Sequence, residues 1–338
     1  MDDSSESGAD LGYYLSASLA RFDPWLKDSN TINELAVNRA GEIWIECQKK
    51  GTYSEKHPDI DEDFLATFAR QIASFNNQAI SEKHPLLSAS LPGGERIQIV
   101  RPPAAPNGHA LSIRKQTLKR MSLDDYAATG AFETAETLTE SKLSDDVSNL
   151  IKIFKSGDLH SFLKHAVLSR QNIVVSGGTS TGKTTFLNAM LTEISDKERL
   201  LTIEDTREVA ITQPNHLNLV AAKGDTGESL VTIQDLLEAC LRLRPDRIIM
   251  GELRGKEAYT FLRAVNTGHP GSLTTVHADS PAGAYDQLSM MVMQANLGMT
   301  RADIKTYVES MIDIVVQLER KDGRRFVSGV TFKHVKAS

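Results

Sequence analysis

The residues with the plainest chemical meaning form one run, Gly177-Gly178-Thr179-Ser180-Thr181-Gly182-Lys183-Thr184. Two glycines and a Lys-Thr pair at the spacing G-x-x-x-x-G-K-[ST] are what a phosphate-binding loop requires. The glycines let backbone N–H groups close around phosphate oxygens, and a helix that follows adds the partial positive charge of its N-terminus. Lys183 is then placed to reach the β- and γ-phosphates, and the Thr184 hydroxyl to ligate Mg²⁺. The flanks predict the right context, because Gln171 to Ser176 reads as a strand and Thr185-Phe186-Leu187-Asn188-Ala189-Met190 as a helix. Residues Gly177 to Thr185 are therefore expected to hold a nucleoside triphosphate.

Hydrolysis of a triphosphate also needs carboxylates for the metal and for the attacking water. Glu204-Asp205 follows the apolar run Leu200-Leu201-Thr202-Ile203, and Glu252 follows Arg247-Ile248-Ile249-Met250-Gly251. In doubly wound sheets ligands gather at the carboxyl ends of strands, which would bring both sites beside the loop. Solvation alone explains one carboxylate at a strand end; two such carboxylates in a phosphate-loop domain favour catalysis. A glycine-rich bend, Thr267-Gly268-His269-Pro270-Gly271, feeds a run ending at His277. The eight-residue separation of His269 and His277, without a nearby third ligand, argues against zinc. They read either as polar loop histidines or as part of a loop that senses phosphate.

These groups need a scaffold, and 338 residues suffice for about two domains. With 40% hydrophobic and 24% charged residues the chain is an ordinary globular one, and its net charge of −6 argues against a nucleic-acid coat. Two cysteines, Cys47 and Cys240, cannot build a disulfide framework. No basic-then-apolar leader opens the chain and no apolar run approaches a membrane span, which predicts a cytoplasmic protein or one touching a membrane from its surface.

The first 115 residues predict a small mixed α/β domain. Leu11, Leu15, Leu19 and Phe22 fall at helical spacing, as do Phe64, Leu65, Phe68, Ile72 and Phe75. The runs Leu35-Ala36-Val37 and Ile43-Trp44-Ile45 flank Gly41 as a hairpin would, and Ile97, Ile99 and Leu111-Ser112-Ile113 predict further strands. Residues 91–120 carry a net +5 from Arg96, Arg101, Arg114, Lys115, Lys119 and Arg120 against Glu95, whereas 121–146 carry −6. The acidic stretch 116–146 reads as a solvated linker. From 147 to 338, apolar runs at 173–175, 200–203, 248–250, 273–276 and 314–316 alternate with helical patterns, predicting a mainly parallel sheet covered on both faces.

Four segments in order, SGGTSTGKTT, TIEDTRE (Thr202 to Glu208), LRLRPDRIIMGELRG (Leu241 to Gly255) and TGHPGSLTTVHADSP (Thr267 to Pro281), resemble the P-loop secretion ATPases. The resemblance is strongest to the hexameric traffic ATPases of bacterial type IV secretion systems, where these are the Walker A, Asp box, Walker B and His box. It implies a RecA-like P-loop domain preceded by a smaller α/β domain, with ATP and Mg²⁺ as cofactors. It further implies that Lys183 is catalytic, Glu204 positions the attacking water, and Glu252 stands near Mg²⁺ with Thr184 and Glu204. His277, and in second place His269, would couple γ-phosphate state to domain motion. Arginines of the first domain would reach the nucleotide, with Arg96 and Arg114 as first choices and Arg101 as the spare; a solvated sheet edge is the alternative. The implied protein is a homo-oligomer, a hexameric ring, bound peripherally to inner-membrane components of a secretion machine and acting on a secreted substrate, with no stable nucleic-acid binding. A tight-adherence or conjugative pilus ATPase, a nucleic-acid motor and a nucleotide-gated scaffold are the alternatives.

Overall fold

A computed structural model describes residues 13–28, 31–115, 122–133, 135, 143–222 and 229–335. Leu11 and much of the expected linker (116–121, 134 and 136–142) lie outside the described residues. The first part is a six-stranded sheet of β1 (Ile32–Val37), β2 (Glu42–Cys47), β3 (Gly51–Lys56), β4 (Leu86–Ser90), β5 (Arg96–Val100) and β6 (Ala110–Arg114), with helix α1 (Glu62–Phe75) on one face. The strand order is β3-β2-β1-β6-β5-β4, antiparallel throughout. The expected hairpin is present, with Leu35 opposite Ile45 and Gly41 at φ +81°, a conformation that glycine adopts without Cβ strain. Helix α1 begins at Asp61, whose side chain accepts from the Phe64 N–H at 2.8 Å, a cap worth about 1 kcal/mol. Its apolar stripe, Leu65, Phe68 and Ile72, packs in one core with Leu35, Ile97, Ile99, Leu111 and Ile113.

Helix α2 (Leu123–Ala128) lies in the acidic stretch, capped reciprocally by Ser122 and Asp125 and burying none of its residues. The second part comprises α3 (Asp145–Ser156), α4 (Leu159–Leu168), β7 (Ile173–Gly177), α5 (Lys183–Leu191), β8 (Leu200–Glu204), β9 (His216–Val220) and α6 (Ile233–Leu243). It continues through β10 (Arg247–Met250), α7 (Glu257–Asn266), β11 (Leu273–Val276), α8 (Pro281–Met293), α9 (Arg301–Met311), β12 (Ile314–Lys321) and β13 (Arg324–Phe332). Seven strands run in the order β13-β12-β7-β11-β10-β8-β9, all pairs parallel except β12 with β13. The continuous apolar runs have a direct cause, since both faces of these strands are covered. Val174, Leu201, Ile248, Val276 and Val315 enter one core, while Ile173, Val175, Ile249, Leu273 and Val316 enter another.

The two sheets are joined by more than a tether. Val100, Ala104, Ala105 and Ala110 of the first part are fully buried in the same core as Leu236, Cys240 and Leu243 of α6. The backbone N–H of Val220 donates to the Ala104 carbonyl at 2.9 Å, and that of Leu230 to the Lys83 carbonyl at 3.0 Å. Arg199, buried at the start of β8, donates from one guanidinium nitrogen to both Asn38 and Asn215 at 2.7 Å, and Asn38 in turn donates to Asn215 at 2.9 Å. Burial lowers the Arg199 pKa to about 10, and Glu34 and Asp246 oppose the shift, so the group stays charged.

Candidate active site

The loop from Gly177 to Gly182 links the end of β7 to the start of α5, where orphan backbone N–H groups point outward. Its path demands left-handed backbone at Ser180 (φ 62°) and Gly182 (φ 90°). Thr181 Oγ donates to the Gly178 carbonyl at 2.9 Å and fixes the bend. Lys183 Nζ donates to the carbonyls of Gly177 at 3.0 Å and Gly178 at 3.2 Å, and lies 3.3 Å from His277 Nδ1. Burial pushes the Lys183 ammonium below its ordinary pKa while Glu252 pulls it back up.

The carboxyl ends of β8, β10 and β11 bring the remaining groups to this loop. Glu252, just beyond β10, is 2.9 Å from His277 Nε2, just beyond β11. The same carboxylate accepts from Arg254 Nε at 2.8 Å and from a second Arg254 nitrogen at 2.6 Å, while Arg254 also donates to Asp205 at 2.6 Å. Thr275 Oγ donates to the Gly251 carbonyl at 2.8 Å and locks the β10 and β11 ends together. Glu252 Oε1 is buried and, despite the nearby imidazole, has no aligned hydrogen-bond donor.

Glu204, at the end of β8, is 3% exposed and accepts the backbone N–H groups of Glu208 and Val209, both at 2.8 Å, on one oxygen. Its other oxygen has no partner, and burial raises its pKa. A Cβ on Gly251 would lie 3.0 Å from Glu204 Cγ, so a glycine there makes the room. The grip of Glu204 on the following turn aims Glu208 at the phosphate loop, where its carboxylate accepts from Thr184 Oγ at 3.0 Å.

Of the sequence-predicted residues, Thr179, Ser180, Thr181, Gly182, Lys183, Thr184, Thr185, Glu204, Glu252 and His277 line one cavity of about 380 Å³. Gly177 and Gly178 lie behind it as the carbonyl partners of Lys183. The arginines lie elsewhere in the same chain. Arg96 and Arg114 line a second cavity of about 1120 Å³ with Arg199, Asn215, Arg244 and His269. Arg199, Asn215, Asp246 and His269 precede strands β8 to β11, so this cavity lies at the amino ends of the strands whose carboxyl ends hold the phosphate loop. Arg101 donates to Glu82 at 3.3 Å and lines neither cavity. Nor does His269 join His277: its Nδ1 donates to the Pro245 carbonyl at 2.8 Å, and burial lowers its pKa.

Asp205, noted in the sequence beside Glu204 but given no role, lines the phosphate-loop cavity, as do Glu208, Arg254 and Arg325, which sequence reasoning passed over. Glu208 lay within a segment already singled out, four residues after Glu204. Arg325 had no signal beyond a basic hairpin tip. No helix among the described residues is long and apolar enough to cross a membrane.

Residues 23–331 match the family described as type II/IV secretion system protein. The type IV secretion system protein VirB11 of Bartonella henselae (strain Houston 1) is 38% identical over 330 residues, covering 93% of this chain and 92% of its own. Its namesake in Brucella suis biovar 1 is 39% identical over 301 residues, with coverage of 87% and 82%. A crystal structure of the VirB11 ATPase from the Brucella suis type IV secretion system, in complex with sulphate, is similar with a TM-score of 0.87 at 37% identity, covering 94% of this chain and 97% of that one.

Proposed function

The chain belongs to the type II/IV secretion system protein family, and from that premise we propose how its residues turn ATP hydrolysis into work. It is a nucleotide-binding ATPase, the motor of a type IV secretion system, with a RecA-like P-loop fold. The observation that carries the proposed mechanism is the convergence of Lys183, Thr184, Glu208, Glu252 and His277 on one cavity at the carboxyl ends of the parallel strands.

The backbone N–H groups of Gly177 to Thr185 cradle the phosphates, and Lys183 leaves its carbonyl partners to neutralise the β,γ end. Glu204 Oε2, buried without a partner, and Glu252 Oε1, buried with only the His277 ring 2.9 Å away and no aligned donor, fit a cation, so Thr184, Glu204 and Glu252 are the residues that would hold Mg²⁺. The metal would supply charge neutralisation to the transferring phosphoryl group. Glu208 faces the phosphate loop and is assigned to the attacking water, with Glu204 behind it fixing the turn that aims it. His277 bridges Lys183 and Glu252 and so registers whether a γ-phosphate separates them.

The domain reading is 1–115 as the arginine-bearing unit, 116–146 as the linker and 147–338 as the motor. Arg96 and Arg114 stand at the far end of the sheet from their own chain's phosphate loop, which supports their service to the nucleotide of a neighbouring copy in a hexameric ring. Such a ring would work at the cytoplasmic face of the inner membrane, against the membrane components and exported substrate of the secretion machine.

Steady-state phosphate release tests this directly. Wild-type turnover should require Mg²⁺, and Glu208→Gln should reduce kcat about 100-fold with the fold intact by circular dichroism. Full turnover in that variant would remove Glu208 from the chemistry. An Arg96→Ala/Arg114→Ala chain mixed with Lys183→Ala chains should regain activity that neither shows alone. No recovery, or a strictly monomeric mass with ATP and Mg²⁺, would contradict the shared site.

A further inference from the structure

Strand β7 divides the sheet around the phosphate loop. On one side stand β11, β10 and β8, which deliver His277, Glu252 and Glu204; on the other stand β12 and β13. Apart from Lys183 and Thr184, which follow β7 itself, the groups set against the γ-phosphate come from the first side, so the nucleoside end of a bound nucleotide points toward the second. One side chain from that second side enters the cavity, Arg325 near the start of β13. Its Nε donates to the Ser180 carbonyl at 3.2 Å, at the left-handed residue of the loop. Its Cδ passes so close to Gly182 that a Cβ on that glycine would lie 3.0 Å away. Arg325 thus lies along the stretch Ser180–Gly182, with the rest of its guanidinium still exposed.

Its electrostatic surroundings point to an anion. The cross-strand partner of Arg325 is Arg320, and the next pair toward the tip is Lys321 with Arg324. Residues directly opposite on an antiparallel ladder share a face, and like charges there are unfavourable. Among the described residues no carboxylate lies within ion-pair distance of Arg325. A phosphate group would relieve this repulsion, and a planar guanidinium suits phosphate oxygens better than an ammonium does.

We propose that Arg325 is a nucleotide-binding residue that pairs with the α-phosphate of the nucleotide in its own chain's phosphate loop. The proposal rests on the nucleotide reading of that loop. Its consequence is a division of labour: Lys183 serves the end of the nucleotide that changes during hydrolysis, and Arg325 the end that does not. Arg325 then contributes to affinity for ATP and ADP alike and leaves the chemical step alone, as uniform binding does.

The test compares ADP with inorganic pyrophosphate, which offers Lys183 two phosphates but lacks the α-phosphate ester linked to ribose. Calorimetry on the full chain should show Arg325→Ala weakening ADP about tenfold or more, the size of one charge-assisted contact. The KM for ATP should rise by the same factor with kcat within about twofold, pyrophosphate affinity should be unchanged, and Arg325→Lys should recover part of the loss. Unchanged ADP affinity in a folded Arg325→Ala protein would overturn the assignment. So would parallel loss of ADP and pyrophosphate, which would mean that Arg325 only props up the loop. Wild-type protein that binds neither ADP nor ATP would instead sink the nucleotide reading itself, a separate result.

Discussion

Lys183→Ala should abolish ATP hydrolysis, with turnover down by at least about 100-fold and the protein still folded. Both halves of that expectation follow from its surroundings. The side chain lies in no hydrophobic core; it spans the loop from the first position of α5 to the carbonyls of Gly177 and Gly178. Gly178 is exposed, so water can replace the lost donor at its carbonyl, and truncation should cost stability only about 1 kcal/mol. No such replacement exists for the charge. Among the cavity-lining residues Lys183 is the cation beside both His277 and the phosphate loop, since Arg254 is engaged by Glu252 and Asp205 and Arg325 meets the loop at Ser180, from the strand side opposite His277. Phosphate release and urea unfolding on the same preparation decide the matter. A folded Lys183→Ala protein with wild-type turnover would refute the mechanism.

The largest effect on stability is expected at Arg247, far from the chemistry. Its side chain is 1% exposed and forms a fork onto Glu198, Nε at 2.8 Å and a terminal nitrogen at 2.7 Å. Its other terminal nitrogen donates to the carbonyls of Val167 at 2.8 Å and Gly271 at 3.3 Å. The guanidinium therefore ties the start of β10 to the end of α4 and to the bend before β11. A Cβ on Gly271, whose φ is 79°, would fall 2.7 Å from that nitrogen, so the bend is built around the arginine. Arg247→Met removes the cation and leaves Glu198 buried with only the half-exposed Arg170, 3.0 Å away, as partner. Breaking a buried pair from one side costs about 3–5 kcal/mol. The urea midpoint should fall accordingly, and the double variant Arg247→Met/Glu198→Met should recover much of the loss. A single variant within about 1 kcal/mol of wild type would show that the pair is not what holds this corner.

The phosphate loop was legible because its chemistry allows few alternatives: glycine where the backbone is left-handed, lysine and threonine at the helix start. The parallel strands were legible because burial on both faces forces unbroken apolar runs, as in Ile173-Val174-Val175. Strand β3 was not legible, since Gly51–Lys56 is an exposed edge and carries no apolar pattern. Strand β13, the other sheet's edge, escaped because Ser328-Gly329 breaks its apolar residues, and with it Arg325, which in sequence is one of several arginines at a hairpin tip. Glu208 was hidden differently. Nothing local says which of Glu204, Asp205 and Glu208 meets the phosphate loop; that is settled by the turn that Glu204 closes through two backbone amides. The arginines at 96, 101 and 114 depended on how the two sheets dock, and docking rests on contacts such as Asn38 with Asn215 that no window of sequence contains.

The apolar residues that join the two sheets also order events during synthesis. Val100, Ala104, Ala105 and Ala110 emerge from the ribosome long before Leu236, Cys240 and Leu243, which cover them. At about 5–20 residues per second that interval is on the order of ten seconds. A first sheet that folds as a unit during synthesis carries an uncovered apolar flank throughout it. Translation that pauses before α6 thus prolongs the exposure of that flank, and chaperone capture in this window is expected to shield it.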